Sequence, residues 1–172
     1  AMDYWANVDA VKWFADEVFP CVRETVANAR FYIVGARPSR EVQQLAELPG
    51  VIVTGAVEDV RPYLAHARLA VAPLRIARGI QNKVLEAMSM AVPVLATQAA
   101  VAGIEYNDPD ALQVSDDAQD LAGKAVRLLQ QQKAEASQAS RRWVRQRYDW
   151  SLNLKKLHEI FEPFSGQSGQ MK

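Results

Sequence analysis

The chain has 172 residues, of which 49% are hydrophobic, and its 20 Lys and Arg balance its 20 Asp and Glu. This length suits one α/β domain, or one large half of a two-domain enzyme. The balanced charge argues against a general nucleic-acid or membrane surface, so any bound anion is expected to be small and local. The single cysteine, Cys21, and the lack of a signal peptide or long apolar run lead us to expect a soluble cytoplasmic protein.

The first predicted element is a helix that begins at Asp9 as its N-cap, is divided at Pro20, and continues to Val26. Short apolar strands then alternate with helices. The predicted strands are 31–35, 51–55, 69–73, 94–97 and 111–114, and helices are predicted over 40–48 and 60–66. The strands are near-continuous apolar runs, as in a sheet that carries helices on both faces. The predicted fold class is therefore α/β with a doubly wound parallel sheet.

From Ser115 onward the pattern is helical. Three helices are predicted, one capped by Asp116 or Asp117, one over 134–148, and one capped by Ser151. The second helix carries an arginine run (Arg141, Arg142, Arg145 and Arg147) that suits a phosphate contact or a solvated face, and we favour the solvated face. Residues 165–172 lack anything to bury and are predicted to be a disordered tail, which leaves 1–164 as the domain.

Residues 75–97 contain a succession of features typical of an anion-binding site. A loop with two arginines follows a strand, and then come a glycine, an amphipathic helix and an apolar strand after Pro93. The start of a helix has backbone N–H groups without partners and a partial positive charge. Gly79 lacks a Cβ, so a ligand oxygen can approach the amides of Ile80 and Gln81. Arg75 and Arg78 would add charge-assisted hydrogen bonds from the loop.

The helix predicted after Gly79 has an apolar stripe and a polar side. The stripe consists of Ile80, Val84, Ala87, Met88 and Ala91. Glu86 lies about two turns into this helix, where its carboxylate would accept hydrogen bonds from the sugar hydroxyls of a bound ligand. Asn82, Lys83 and Glu86 are equally consistent with a solvated helix face that carries spaced polar pairs.

Ligands of doubly wound sheets bind outside the carboxyl ends of the strands. Gly35, Gly55, Pro73 and Thr97 fall at predicted carboxyl ends. Each glycine also has a purely structural interpretation, because glycine permits the tight turn from a strand into a helix.

The sequence lacks the residue patterns that several kinds of functional site require. His66 and His158 are far apart and Cys21 is alone, so no metal site is expected. We find neither a nucleophile elbow nor a Walker loop, and residues 35–38 do not complete a dinucleotide fingerprint. Hydrolase, kinase and dehydrogenase functions thus lose support, and no cofactor is expected beyond the substrate itself.

Residues 79–88 and 93–97 resemble the donor-site signature of the retaining GT-B glycosyltransferases of family 4. Residues 31–35, residues 51–55 and Trp150 follow in that family's usual order, so the resemblance covers almost the whole chain. Within the family, residues 2–9 and 73–79 resemble the sugar transferases associated with exosortase (PEP-CTERM) exopolysaccharide systems.

The resemblance implies a site for a nucleoside-diphosphate sugar. The implied donor-binding residues are Gly55, Ala56, Val57, Arg75, Gly79, Ile80, Gln81, Asn82, Lys83 and Glu86, and the implied catalytic residues are Arg78 and Glu86. Glu86 would hold the ribose hydroxyls, the amides of Ile80 and Gln81 the distal phosphate, and the turn 55–57 the base. An acceptor hydroxyl would attack the face that the diphosphate leaves.

The cations near this site depart from the family's pattern. Arg75, together with Lys83, is implied to neutralise the leaving diphosphate. Arg78 stands eight residues before Glu86, where the family commonly has a glutamate, so Arg78 would serve the phosphates or an acidic sugar. Ala91 stands where the family usually has a glycine after the helix.

A GT-B enzyme has two such domains with the active site between them. The resemblance therefore implies that the chain is a C-terminal half, that its first strand and the acceptor domain precede residue 1, and that the fragment binds nucleotide without turnover. The expected partners are the nucleotide sugar and the acceptor domain, with no nucleic acid. We expect peripheral membrane association of the full-length enzyme, and dimerisation of the fragment through its exposed cleft face.

Two other functions fit the same architecture. A non-hydrolysing nucleotide-sugar epimerase shares the fold but would need more acid and histidine groups than His66 and His158 offer. A non-catalytic α/β interaction module would use the cationic loop to dock an acidic partner. Fold analogy alone does not choose among the three.

Overall fold

The computed structural model describes residues 1–106, 108–131 and 135–148. The strands are β1 Phe31–Val34, β2 Val51–Gly55, β3 Ala70–Ala72, β4 Val94–Ala96 and β5 Leu112–Val114. The helices are α1 Trp5–Trp13, α2 Phe19–Thr25, α3 Arg40–Gln44, α4 Arg61–His66, α5 Asn82–Ser89, α6 Gln98–Val101, α7 Ala118–Gln130 and α8 Glu135–Tyr148. The predicted helix capped by Ser151, the motif residue Trp150 and the predicted tail over 165–172 lie outside the described residues.

All strand pairings in the described ranges are parallel. β1 pairs with β2, with Phe31 opposite Val51, while β4 pairs with both β3 and β5. The hydrogen bonds thus form a two-stranded and a three-stranded group instead of the single sheet that was predicted. Strand and helix alternate along the chain as expected, and the predicted α/β class is confirmed.

Helices cover both faces of the strands. Because successive side chains of a strand point to opposite faces, Val94 and Ala96 enter one apolar cluster and Leu95 the other. The first cluster includes buried residues of α5, α6 and α8, and the second includes residues of α1 to α3 and α7. This arrangement accounts for the continuous apolar strands of the sequence.

The N-terminal helix begins at Trp5 with Tyr4 as its N-cap, so the prediction that Asp9 caps it is wrong. Asp9 lies inside α1, and its carboxylate accepts from Arg75 instead of from a backbone amide. The predicted division at Pro20 is confirmed, since a π-helical turn over Phe14–Val18 separates α1 from α2. Proline has no N–H to donate to the preceding turn, which disturbs the regular helical bonding there.

Helix α5 begins at Asn82 and not directly after Gly79. Gln81, with φ −89° and ψ 103°, is its extended N-cap. Ile80 therefore lies in the loop with 45% of its surface exposed, and its predicted place in the apolar stripe is wrong. The other stripe residues, Val84, Ala87, Met88 and Ala91, are buried as expected.

The later elements follow the predictions with one addition. Asp117 caps α7 by accepting a hydrogen bond from the amide of Asp120 at 2.8 Å. The short helix α6 was not predicted, and Thr97 is its N-cap. The four arginines of α8 are exposed, in agreement with a solvated face.

Candidate functional site

The loop between β3 and α5 leads into the helix start singled out by the sequence. The side-chain amide of Gln81 donates to the carbonyl oxygens of Arg78 and Gly79, both at 3.2 Å, and so folds the loop back on itself. The amide of Val84 donates to the carbonyl of Gln81 at 3.0 Å. The backbone amides that precede this bond are those of Asn82 and Lys83, slightly further along the chain than the predicted Ile80 and Gln81.

Two glycines leave open space at this side of the fold. Gly79 has φ 67° and Gly55, the last residue of β2, has φ 73°, a left-handed conformation that favours glycine. Apart from the glycine itself and its two neighbours in the chain, no residue has an atom within 4 Å of the position that a Cβ would take at either glycine. A ligand can therefore approach both backbones closely. Ala56, which follows Gly55, is exposed, and Val57 is half-buried.

The first residues of the chain connect the ends of the two strand groups. The amide of Met2 donates to the carbonyl of Ala36 at 2.7 Å, just after β1, and the amide of Gly35 donates to the carbonyl of Gly55 at 3.2 Å. Asn7, a few residues later, contacts Lys83 at the start of α5. The carboxyl ends of β1 and β2 and the start of α5 thus lie on the same side of the molecule.

Glu86 lies on the exposed side of α5, whereas Val84, Leu85 and Ala87 are buried. Its carboxylate is one turn beyond Lys83, and its charge partly opposes the lowering of the Lys83 pKa that desolvation causes. In the described part of the chain the Glu86 carboxylate makes no hydrogen bond or ion pair. It is therefore available to a ligand held at the helix start.

Lys83 is held by the N-terminal helix. Its ammonium donates to Asn7 Oδ1 at 2.9 Å, and Asn7 Nδ2 donates to the carbonyl of Ala1 at 2.8 Å. Desolvation of the ammonium by the surrounding chain lowers the pKa of Lys83, and Glu86 partly opposes this shift. Lys83 as a whole residue remains exposed.

Arg75 is already paired. Its Nε donates to Asp9 Oδ2 at 3.0 Å and its Nη2 donates to Asp9 Oδ1, while its guanidinium carbon lies 5.6 Å from the centroid of the Trp13 ring. The hydrogen bond from Arg75 lowers the pKa of Asp9, and the same bond raises the pKa of Arg75. With side chains 50% and 31% exposed, the pair lies at the rim of the fold. Its charge is balanced before any ligand arrives.

Arg78 differs from Arg75 in its surroundings. It is exposed, and across residues 1–106, 108–131 and 135–148 its guanidinium has no hydrogen bond or ion pair. Arg78 and Lys83 are therefore the cations near the start of α5 that no carboxylate of the described chain pairs with at hydrogen-bond distance.

Asn7 and Asp9 were not predicted as site residues. Their contacts with Lys83 and Arg75 span 76 and 66 positions of the sequence. Local periodicity carries no signal for such contacts. The sequence shows only that α1 contains an acidic residue, Asp9, and that the loop after β3 contains a cation, Arg75.

No group of three or more His, Cys, Asp or Glu residues in the described ranges is placed to hold a metal ion. None of the helices there is both long enough and apolar enough to cross a membrane.

Comparison with known proteins identifies the relatives of this fold. A family model described as glycosyl transferases group 1 matches residues 1–131. A search of curated protein sequences found no match. Among solved structures, a glycosyltransferase from Rickettsia africae is similar with a TM-score of 0.72 and 17% identity over 97% of this chain and 46% of the other.

Two further structures contain a nucleotide. A variant of Staphylococcus aureus TarM, in complex with fondaparinux, α-GlcNAc-glycerol and UDP, has a TM-score of 0.73 and 18% identity, over 91% of this chain and 33% of the other. Anabaena HepE in complex with UDP has a TM-score of 0.64 and 14% identity, over 84% of this chain and 45% of the other. The chain spans less than half the length of each of these proteins. The predicted Rossmann-like half of a GT-B fold is confirmed by these neighbours.

Proposed function

Because the chain belongs to the family of glycosyl transferases group 1, we propose that it is the donor-binding half of a retaining glycosyltransferase. The enzyme would move a sugar from a nucleoside-diphosphate sugar to a glycan or lipid-linked acceptor. The observation that carries the proposal is the exposed Glu86 carboxylate, which lies one turn from Lys83 beside an open helix start. Two structures of similar fold hold UDP, which supports a nucleoside diphosphate as the ligand.

The diphosphate would bind where α5 begins. The amides of Asn82 and Lys83 and the positive end of the helix favour an anion there, and Gly79 leaves room for it. Arg78 and the Lys83 ammonium add side-chain charge. Arg75 contributes less charge to the phosphates because Asp9 already balances it.

Glu86 would accept hydrogen bonds from two ribose hydroxyls, since an ionised carboxylate has acceptor capacity on both oxygens. The turn after β2, residues 55–57, would face the base. As the bond from the anomeric carbon to the diphosphate breaks, negative charge grows on the leaving oxygen. Arg78 and Lys83 would stabilise that charge, which is an electrostatic contribution to the transition state. The acceptor hydroxyl would attack the face that the diphosphate leaves, and its proton would pass to the departing diphosphate.

The finer assignment rests on sequence. We propose membership of family 4 because residues 79–88 and 93–97 resemble its donor-site signature. We propose membership of the exosortase-associated sugar transferases because residues 2–9 and 73–79 resemble those enzymes. A cytoplasmic enzyme acting in exopolysaccharide synthesis, with peripheral membrane association of its full-length form, is part of the same proposal.

Calorimetric titration with UDP and GDP tests the nucleotide site. The wild-type chain is expected to bind at least one of them, and Glu86→Gln, which removes charge but keeps shape, is expected to weaken binding by about tenfold or more. Glu47→Gln is the matched control, because exposed Glu47 precedes the amino end of β2, away from the glycine-lined side.

Absence of binding to both nucleotides by a folded chain would exclude the site. If instead Glu86→Gln binds UDP as tightly as the wild type, the carboxylate has no role with the ribose. The interpretation of Glu86 as part of a solvated helix face would then be correct.

A further inference from the structure

One side chain of α1 holds the lysine of the proposed site without neutralising it. Asn7 Oδ1 accepts from Lys83 Nζ at 2.9 Å, and Asn7 Nδ2 donates to the carbonyl of Ala1 at 2.8 Å. We propose that Asn7 is a positioning residue that fixes the Lys83 ammonium at the start of α5 for the diphosphate of a bound nucleotide. This inference rests on the proposed function.

The chemistry of the amide explains why an asparagine suits this position. An asparagine side chain presents an acceptor and a donor at once. Here the acceptor serves Lys83 and the donor serves the backbone of Ala1, so the amide is itself held in place. An aspartate at this position would accept from Lys83 but would have no hydrogen to donate to Ala1.

The neighbouring pair shows the contrast in charge. Asp9, on the same helix, holds Arg75 with a carboxylate and cancels its charge. Asn7 holds Lys83 with a neutral oxygen, so no carboxylate bonded to the ammonium cancels its charge. Arg75 is therefore a structural cation, whereas Lys83 is the cation that would bind the ligand.

Fixing the lysine in advance favours binding for an entropic reason. A lysine side chain is long and flexible, and ordering it on a ligand reduces the affinity. The surrounding chain desolvates this ammonium and lowers its pKa, and the negative charge of Glu86 partly opposes that shift. Asn7 holds the ammonium in one place, so the lysine loses less freedom when the diphosphate arrives.

The test compares UDP with uridine, which lacks the phosphates, on the intact chain. Asn7→Ala is expected to weaken UDP binding by about tenfold and to leave uridine binding within about twofold of wild type, as for the loss of one charge-assisted contact. In a Lys83→Met background, Asn7→Ala is expected to cause no further loss of UDP affinity. The two residues form one contact, so the effects of their substitutions are not additive. Asn28→Ala, in an exposed turn after α2, is the matched control.

Asn7→Asp gives a second variant that keeps the contact with Lys83. It is expected to weaken UDP binding as well, because the added carboxylate cancels the ammonium charge. Equal losses for UDP and uridine in Asn7→Ala would show a merely structural role and overturn the inference. An unchanged affinity for UDP in both Asn7 variants would overturn it too. A folded wild-type chain that binds neither UDP nor GDP would instead overturn the proposed function, and this inference with it.

Discussion

The cations around the start of α5 differ in how much charge they offer to a ligand. Arg75 is bonded through two of its nitrogens to the Asp9 carboxylate, Lys83 is bonded to a neutral amide, and the guanidinium of Arg78 has no bonded partner in the ranges that the structure describes. A carboxylate neutralises a cation and an amide does not. A phosphate at this helix start therefore experiences mainly the charges of Lys83 and Arg78.

This difference predicts unequal effects of two matched substitutions. Arg78→Gln is expected to weaken UDP binding by about tenfold, and Arg75→Gln by less than about threefold, because Arg75 is already paired. Calorimetric titrations at low and high salt measure both, and the Arg78 effect should shrink at high salt because exposed charges are screened. A larger loss from Arg75→Gln would show that Asp9 releases Arg75 to the ligand.

The sequence could indicate most of these residues but not their partners. Gly79, Arg78, Lys83 and Glu86 stand in one stretch, and helix spacing alone places Lys83 and Glu86 near each other. The contribution of Asn7 depends on α1 packing beside α5, which only the folded chain reveals. The ion pair between Arg75 and Asp9 likewise depends on the packing of the folded chain.

Helix α5 ends in a left-handed residue that is not glycine. Ala91 has φ 57°, its amide donates to the carbonyl of Met88 at 3.0 Å, and the amide of Val92 donates to the carbonyl of Ala87 at 3.0 Å. These two bonds form a Schellman motif, a helix ending in which glycine usually occupies this position. Ala91 therefore takes the left-handed conformation of the glycine that the family usually has here, at a cost of about 1–2 kcal/mol.

Two alanine-to-glycine changes isolate the cost of this conformation. Ala87 and Ala91 are both buried, but Ala87 lies inside α5 and Ala91 is left-handed. Ala91→Gly loses a methyl group worth about 0.8 kcal/mol and relieves strain of about 1–2 kcal/mol, so it is expected to be neutral or stabilising. Ala87→Gly loses its methyl and about 1 kcal/mol of helix propensity.

Urea denaturation of both variants measures the difference. The free energy of unfolding of Ala91→Gly is expected to exceed that of Ala87→Gly by about 2–3 kcal/mol. Equal destabilisation by the two changes would mean that the left-handed conformation of Ala91 is not strained.

The predicted positions of helices and strands were correct where neighbouring residues determine them. They were wrong where other contacts in the fold determine them. The strand over 51–55 and the Asp117 cap depend on neighbouring residues, and both were predicted correctly. The start of α5 was predicted too early because Ile80 continues the helical spacing of apolar residues. In the structure the Gln81 side chain bonds to the preceding carbonyls and keeps Ile80 outside the helix.

The arrangement of the fold as a whole places the proposed site at one side. Two apolar clusters on opposite faces of the strands hold the helices, and residues 1–7 connect the end of β1 with the start of α5. The alternation of strands and helices predicted this architecture from the sequence. The separation of the strands into two hydrogen-bonded groups was not predictable, because no local pattern encodes which strands pair.

The chain spans less than half the length of the glycosyltransferases that it resembles, so we expect it to bind the nucleotide without transferring sugar. Incubating the chain alone with a panel of UDP- and GDP-sugars should release no nucleoside diphosphate, because the proposed acceptor surface belongs to another domain. The matched comparison is a longer protein that contains this chain together with an acceptor domain. Turnover by the chain alone would contradict the proposal that the donor and the acceptor bind to different domains.

The most direct test of the nucleotide site is amide chemical-shift mapping by NMR during titration with UDP. The largest shifts are expected at the amides of Asn82 and Lys83 and across residues 78–81, with a second group at residues 55–57. In Glu86→Gln the same amides should respond only at higher UDP concentration. Binding of UDP with its largest shifts elsewhere, for example on α7 or α8, would contradict the proposal that a diphosphate is held at the start of α5.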